Sequence, residues 1–305
     1  MRLSFVTSNI LHQVLYHSET NIVYYPSNSL FDEILYFAFP EYNFFVFDEN
    51  YASEQKNCLG IPTEYIDLYS YDLIIHNSIL DLSRQPISHT LHSNAIILQH
   101  QNVNPKIKKE DKIILNNKTD KYEKIFFNQI KSLQWKQEKY TLMEYGIPQE
   151  IFNYKTQYKD REKNILIIGS PNNIAAQQMQ SFFKKQYNNV DIIDNTYYKN
   201  FTLTEINNHI NQYKTIINLS DNDYMDLVGI ACGCNVLSIS SSLRNAPALY
   251  PCESAQEIVE KIDIVHDPDY DLVTNYLNQN HNFSLFKLKL SQIINAKAKQ
   301  EAYTL

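Results

Sequence analysis

The sequence predicts an α/β protein made of two tandem domains, each a doubly wound parallel sheet. Three observations carry that reading. The chain has 305 residues, too many for one ordinary core when domains cluster near ~100 to 150 residues. Its apolar runs are short and apolar on both faces, as buried parallel strands are, instead of alternating. Between these runs lie segments with helical spacing, so strand–helix–strand traffic repeats on either side of a break around Glu144 to Arg161.

In the first half, strands are expected near Leu3 to Thr7, Asn21 to Tyr25, Tyr42 to Phe47, Asp72 to His76, Ala95 to His100 and Lys112 to Leu115. A helix from Asn9 to His17 follows the first of them. Another from Ser29 to Phe39 turns Leu30, Ile34, Leu35 and Phe37 inward. Glu-Tyr-Gly-Ile-Pro-Gln-Glu-Ile-Phe, from Glu144 to Phe152, then leads into the polar stretch Tyr154 to Lys163. Gly-x-Pro interrupts regular structure, so the domain break belongs here. The second half restarts with a strand at Asn164 to Gly169, followed by a helix near Ala175 to Gln186, a strand at Val190 to Ile193 and a helix near Leu203 to Tyr213. A strand at Thr215 to Leu219, a helix at Tyr224 to Ala231 and a strand at Val236 to Ile239 come next. Helices near Ser254 to Lys261, Asp271 to Leu277 and Phe283 to Lys297 finish the chain. The expected division is 1–150, 151–282 and a terminal helical segment 283–305.

Composition narrows the function classes. With 44% hydrophobic and 13% aromatic residues and 20% charged residues of both signs, the chain has the material for packed cores. A formal charge of −7 argues against a surface built to bind phosphate backbones regardless of sequence. Four cysteines, Cys58, Cys232, Cys234 and Cys252, are too few and too irregular for a disulfide framework or a paired C-x-x-C zinc site. Cys232 and Cys234 read as core residues at a helix–strand junction. No signal-peptide pattern opens the chain and no run approaches ~18 apolar residues, so a cytoplasmic protein without a membrane span is expected. The low glycine count of 5, with abundant Asn, Ile, Lys and Tyr, is the bias of an AT-rich genome, such as that of a phage.

In open parallel sheets ligands bind beyond the carboxyl ends of the strands, so the residues just after each strand are the informative ones. In the first half these are Thr7-Ser8-Asn9, His76-Asn77-Ser78 and His100-Gln101-Asn102. His100, and after it His76, are the candidate catalytic groups, since imidazole exchanges protons near neutral pH; loop capping is the plainer role for both. In the second half the candidates for ligand binding are Gly169, Ser170, Asn172 and Asn173, then Ser220, Asp221 and Asp223, followed by Ser240-Ser241-Ser242. Gly169 admits close backbone approach to a phosphate, and the following helix N-terminus favours an anion. The same residues also serve as helix caps. Asp221-Asn222-Asp223 and Asp267-Pro268-Asp269-Tyr270-Asp271 both contain D-x-D, a cation-binding pattern. Helix capping is the competing role, and no metal ligand is assigned.

The sharpest segment is Val228-Gly-Ile-Ala-Cys-Gly-Cys-Asn-Val236, a helix of small residues that ends at Gly233, in a left-handed cap, and runs at once into a buried strand. It is similar to the Glu-Ala-Met-Ala-Cys-Gly-x-Pro-Val motif in the second domain of GT-B glycosyltransferases, above all the large retaining family of bacterial and viral glycosyl transferases. Tyr145-Gly-Ile-Pro148 with Phe152 resembles that family's interdomain motif, and Ile165 to Gly169 resembles the strand that opens its donor domain. The resemblance spans about residues 140 to 260. It implies the GT-B architecture: two Rossmann-like domains facing across a cleft, with the C-terminal helix crossing back to the first. It further implies transfer of a sugar from a nucleoside-diphosphate sugar, UDP-sugars foremost, to a glycan, a protein or a modified DNA base. No tightly bound cofactor is expected, and Gly169, Ser170, Asn172, Asn173, Ser220, Asp221, Asp223 and Gly233 would line the donor side. Two departures stand out. Val228 and Ser220 occupy the places of the family's two donor-site glutamates, and the loop after Gly169 lacks its Arg and Lys. The alternative reading is therefore a catalytically inactive GT-B-like binding or scaffold subunit. Oligomeric state is left open.

Overall fold

The computed structural model describes residues 20–25, 30–46, 58–60, 73–76, 95–99, 123–127, 140–194, 197–220, 222–239, 241–243 and 245–298. The strands expected near Leu3 to Thr7 and Lys112 to Leu115 and the helix at Asn9 to His17 lie outside the described residues, as do His100 and Asp221. The fold is mixed α/β with parallel sheets and divides into two compact units. Met1–Ser27, Phe31–Met143 and Lys287–Leu305 group as unit 1, and Asn28–Leu30 with Glu144–Phe286 as unit 2.

Unit 1 contains β1 (Thr20–Tyr25), most of helix α1 (Leu30–Ala38), β2 (Tyr42–Val46), β3 (Cys58–Gly60), β4 (Leu73–His76), β5 (Ala95–Gln99), β6 (Glu123–Phe126) and β7 (Thr141–Leu142). They form a seven-stranded sheet in the order β3-β2-β1-β4-β5-β6-β7, and every described pairing is parallel. Helix α1 is apolar almost all round, so it is buried: Phe31, Ile34, Leu35 and Tyr36 are all within the core with Ile75, Ile96, Leu98 and Ile125. Its Asp32 and Glu33 sit in the first turn, where the helix dipole favours negative charge. Phe31 packs edge-on against Phe127 at 5.1 Å between ring centres.

Unit 2 contains β8 (Lys163–Ile168), α2 (Ile174–Phe183), β9 (Val190–Ile193), α3 (Leu203–Ile210), β10 (Tyr213–Asn218), α4 (Asp223–Ala231), β11 (Asn235–Ser238), β12 (Leu249–Pro251), α5 (Ala255–Lys261) and α6 (Tyr270–Asn280). Helix α7 (Phe283–Ala298) begins in unit 2, and from Lys287 its residues group with unit 1. The five strands run parallel in the order β12-β11-β10-β8-β9. Strand residues alternate between two helical layers, which makes the sheet doubly wound. Ile165, Ile167, Ile217 and Leu237 share a core with Ala176, Met179 and Phe183 of α2 and Ile258 of α5. Ile216 and Val236 point the other way, against Gly229 of α4.

The helix starts follow local chemistry. Asn173 caps α2 by accepting from Ala175 N at 2.8 Å. Thr202 and Glu205 cap α3 reciprocally, Glu205 N donating to Thr202 Oγ1 at 3.2 Å and Thr202 N to Glu205 Oε2 at 2.8 Å. Ser254 caps α5 and Asp269 caps α6, so the Asp267 to Asp271 segment begins a helix. Strands β3, β6, β7 and β12 are absent from the sequence-level expectation, and there is a reason in each. β3, β7 and β12 have two or three residues and stand at sheet edges, too short to show a period. β6 opens with Glu123 and Lys124, and β12 ends in Pro251, which a sheet tolerates at its edge.

Candidate functional site at the carboxyl edge of the second sheet

The order of unit 2 places a topological switch between β8 and β10. The chain leaves β8 for β9 on one side, then returns to pair β10 on the other. Outside the carboxyl ends of those two strands the connections diverge to opposite faces, and this is the usual ligand position in an open α/β sheet. Gly169 to Asn173 follow β8, and Ser220 follows β10 by two residues. These sequence-level candidates thus flank one switch point.

Gly169 is buried, and its N donates to Ile193 O at 2.8 Å. A Cβ there would stand 3.3 Å from Leu219 Cβ and 3.8 Å from Ala176 Cβ. The glycine therefore lets β8, the β10 end and α2 close together. Ser170, Pro171, Asn172 and Asn173 are exposed in the turn beyond it. Asn173 N donates to Ser170 O at 2.8 Å, and Asn173 carries the α2 cap. That turn offers its polar side chains and a helix N-terminus to solvent.

Across the switch the groups are buried. Asn218, the last residue of β10, has no exposed surface. Its Oδ1 accepts from Ser220 N at 2.9 Å and Ser220 Oγ at 2.6 Å, and its Nδ2 donates to Asn222 O at 3.0 Å and Asp226 Oδ1 at 2.7 Å. Asn222 caps α4 through Tyr224 N. Asp223 opens α4 at 1% exposure; its carboxylate accepts from Ser242 Oγ at 2.7 Å and Ser242 N at 3.3 Å, tying the turn after β11 to the helix. Asp226 is fully buried one turn further on. Burial first, and then the charge of Asp223, push its carboxyl up to about 7, while the hydrogen bond from Asn218 and the neighbouring Ser241 and Ser238 hydroxyls pull the other way. The site is thus acidic on the α4 side and neutral and exposed on the α2 side.

Asn218 and Ser238 escape the sequence reading, because each is the terminal residue of an apolar run and resembles any polar strand end. The signal for Asp226 was stronger: a carboxylate inside a helix otherwise apolar on every side.

Gly233 is not brought to this cluster. It has φ +75° at the end of α4, on the amino side of β11. Its missing Cβ makes room for Tyr270, for Arg161 Nη2 at 2.9 Å and for Tyr154 at 3.2 Å; Tyr154 and Tyr270 stack there at 3.7 Å. Cys232 and Cys234 are buried and free, their thiols raised above the ordinary range chiefly by burial.

His76 belongs to unit 1. It ends β4 with register partners Tyr25 in β1 and Ile97 in β5. The first sheet runs β1, β2, β3 to one side and resumes with β4 on the other, so β1 and β4 flank its switch point and His76 stands at it.

Among the described residues, no helix is long and apolar enough to cross a membrane. No family model matches the chain, and no curated protein matches it. Among solved structures, the chain is similar to one from the Glycosylation Associate Protein (Gap123) complex of Streptococcus agalactiae, with 12% identity and a TM-score of 0.37, over 78% of this chain and 55% of that one.

Proposed function

We propose that the protein is a metal-independent glycosyltransferase of the GT-B kind. Unit 2 takes a nucleoside-diphosphate sugar, UDP-sugars first, and the acceptor, a glycan, protein or DNA base, falls to unit 1. The supporting observation is that the exposed Ser170 to Asn173 turn and Ser220 flank the β8/β10 switch point. The turn and the α2 N-terminus suit the diphosphate. The acidic α4 side repels phosphate and suits hydroxyl groups.

A second reading, a binding subunit without catalysis, draws on Val228, which is fully buried where the resembled family carries a glutamate. Calorimetric titration with UDP, GDP, CDP, ADP, TDP and their sugar conjugates, with and without magnesium, separates the two. Saturable binding of one base is expected, and Asn172→Trp, which fills the exposed turn, should weaken it about tenfold or more, ~1.4 kcal/mol per decade. Silence toward every nucleotide would favour the binding subunit. Unchanged affinity in a folded Asn172→Trp variant would move the donor away from the switch point.

A further inference from the structure

Five side chains meet at the amino edge of the second sheet. Lys163 opens β8, Asp191 stands second in β9, Tyr213 opens β10, His209 lies in the last turn of α3, and Tyr198 belongs to the short 3-10 turn Tyr197–Asn200. Tyr213 Oη is 2.6 Å from Asp191 Oδ2 and 3.1 Å from Lys163 Nζ, and Lys163 Nζ is 2.8 Å from the same carboxylate oxygen. Both nitrogens of His209 are engaged, Nε2 by Tyr213 Oη at 3.3 Å and Nδ1 by Tyr198 Oη at 2.9 Å.

These contacts fix where each proton sits. A carboxylate only accepts and an ammonium only donates, so the one hydroxyl hydrogen of Tyr213 goes to Asp191. Tyr213 Oη is then an acceptor toward His209, and Nε2 carries the imidazole proton. Nδ1 keeps its lone pair and accepts from Tyr198 Oη. Three phenol rings surround the imidazole: Tyr197, Tyr198 and Tyr213 lie 5.6, 5.7 and 5.2 Å from it between ring centres. Tyr198 is 3% exposed, and among the described residues His209 is the hydrogen-bond partner of its hydroxyl.

We infer that His209 is an acid-sensitive latch: neutral, with its proton on Nε2 and its Nδ1 held by Tyr198 Oη, it fastens the Tyr197–Phe201 turn to α3 and β10, and a second proton, on Nδ1, loosens that turn. The proton comes from solvent and bonds to the Nδ1 lone pair. The bond that breaks is the hydrogen bond from Tyr198, whose hydroxyl hydrogen must then point away and leave a buried donor unmet.

The titratable groups around His209 are Lys163 from β8, Asp191 from β9, Tyr197 and Tyr198 from the turn, and Tyr213 from β10. Glu205, one turn earlier in α3, is engaged with Thr202, while Cys232 and Cys234 of the α4–β11 junction act on Tyr198. Burial first, and then the Lys163 charge, hold His209 below its ordinary 6.5, against the pull of Asp191 and of the helix end. A histidine lowered in the fold contributes fully above its unfolded value and loses that contribution as pH falls through the folded one.

The latch belongs to unit 2 alone and is independent of nucleotide binding. Nitrogen NMR of the full chain labelled at histidine should place the His209 proton on Nε2 at about pH 8, with a titration midpoint below the ordinary ~6.5. His209→Phe identifies the signal by its loss. Tyr198→Phe, which keeps the ring and deletes the hydroxyl, should raise the midpoint by about 0.5 pH unit or more. Lys163→Met should raise it too, whereas Asp191→Asn should lower it. Hydrogen exchange of amides 197–206, corrected for intrinsic rates, should lose protection about fivefold or more between about pH 7.5 and about pH 5. In His209→Phe that acid loss should vanish. A proton on Nδ1 at about pH 8, protection that does not change with pH, or an acid loss that survives in folded His209→Phe would overturn the latch. Should that variant not fold, a midpoint unmoved by Tyr198→Phe would do the same.

Discussion

Arg161 was read in the sequence only as part of a polar break, yet it is 4% exposed. Its guanidinium donates to Tyr213 O and Cys232 O, each at 2.6 Å, to Thr156 O at 3.1 Å and to Cys234 Sγ at 3.1 Å. One planar fork thereby joins the lead-in to β8, the start of β10 and the α4–β11 junction. Arg161→Met removes every guanidinium donor from these buried acceptors, Tyr213 O keeping only the weak Cys234 thiol, so a loss of about 3 kcal/mol is expected. Urea unfolding should report it as a lower midpoint with an unchanged slope. Arg161→Lys should recover only part, because an ammonium cannot reproduce the fork. A charged residue in a polar run gives no hint of the partners beyond Thr156, which lie 52 to 73 residues away. The left-handed Gly233 was legible, since a helix of small residues followed at once by a strand needs a residue that tolerates positive φ.

At the scale of elements, α4 is the most constrained. It was expected at Tyr224 to Ala231 and is found at Asp223–Ala231, buried at every position. Gly229 sets how closely it lies on the sheet: a Cβ there would come within 2.8 Å of both Ile216 Cδ1 and Val236 Cγ2. Gly229→Ala gains about 1 kcal/mol of helix propensity but overpacks a core, at a cost of about 1–3 kcal/mol. A net loss of about 1 kcal/mol is therefore expected in chemical unfolding; a more stable variant would mean that α4 can shift outward freely. The longer strands of both sheets were legible from their apolar runs, whereas the short edge strands were not, because their place is fixed by pairing and not by composition.

For the whole molecule, pH is the broadest probe, and Asp191 shapes its acid limb. Burial raises the Asp191 carboxyl, but hydrogen bonds from Lys163 and Tyr213, with the charges of Lys163 and His209, outweigh it and hold the group below its usual value of 3.8. The bonds are short, 2.8 Å from Lys163 Nζ and 2.6 Å from Tyr213 Oη. A depressed carboxyl stabilises above its unfolded value and loses that contribution as pH falls through the folded one. Asp191→Asn should accordingly flatten the acid limb of Tm against pH and leave the neutral region displaced by a constant amount. The sequence by itself determined the parallel α/β class, most helices and longer strands of unit 2, and the polar strand ends, because hydrophobic period and capping chemistry are local properties. Only the tertiary structure decided that the Gly169 turn and Ser220 share a switch point, that Gly233 lies apart from them, and that Asp226 is buried beside Asp223. Strand order, and the burial that follows from it, arise from pairing between distant segments, and no local spacing encodes them.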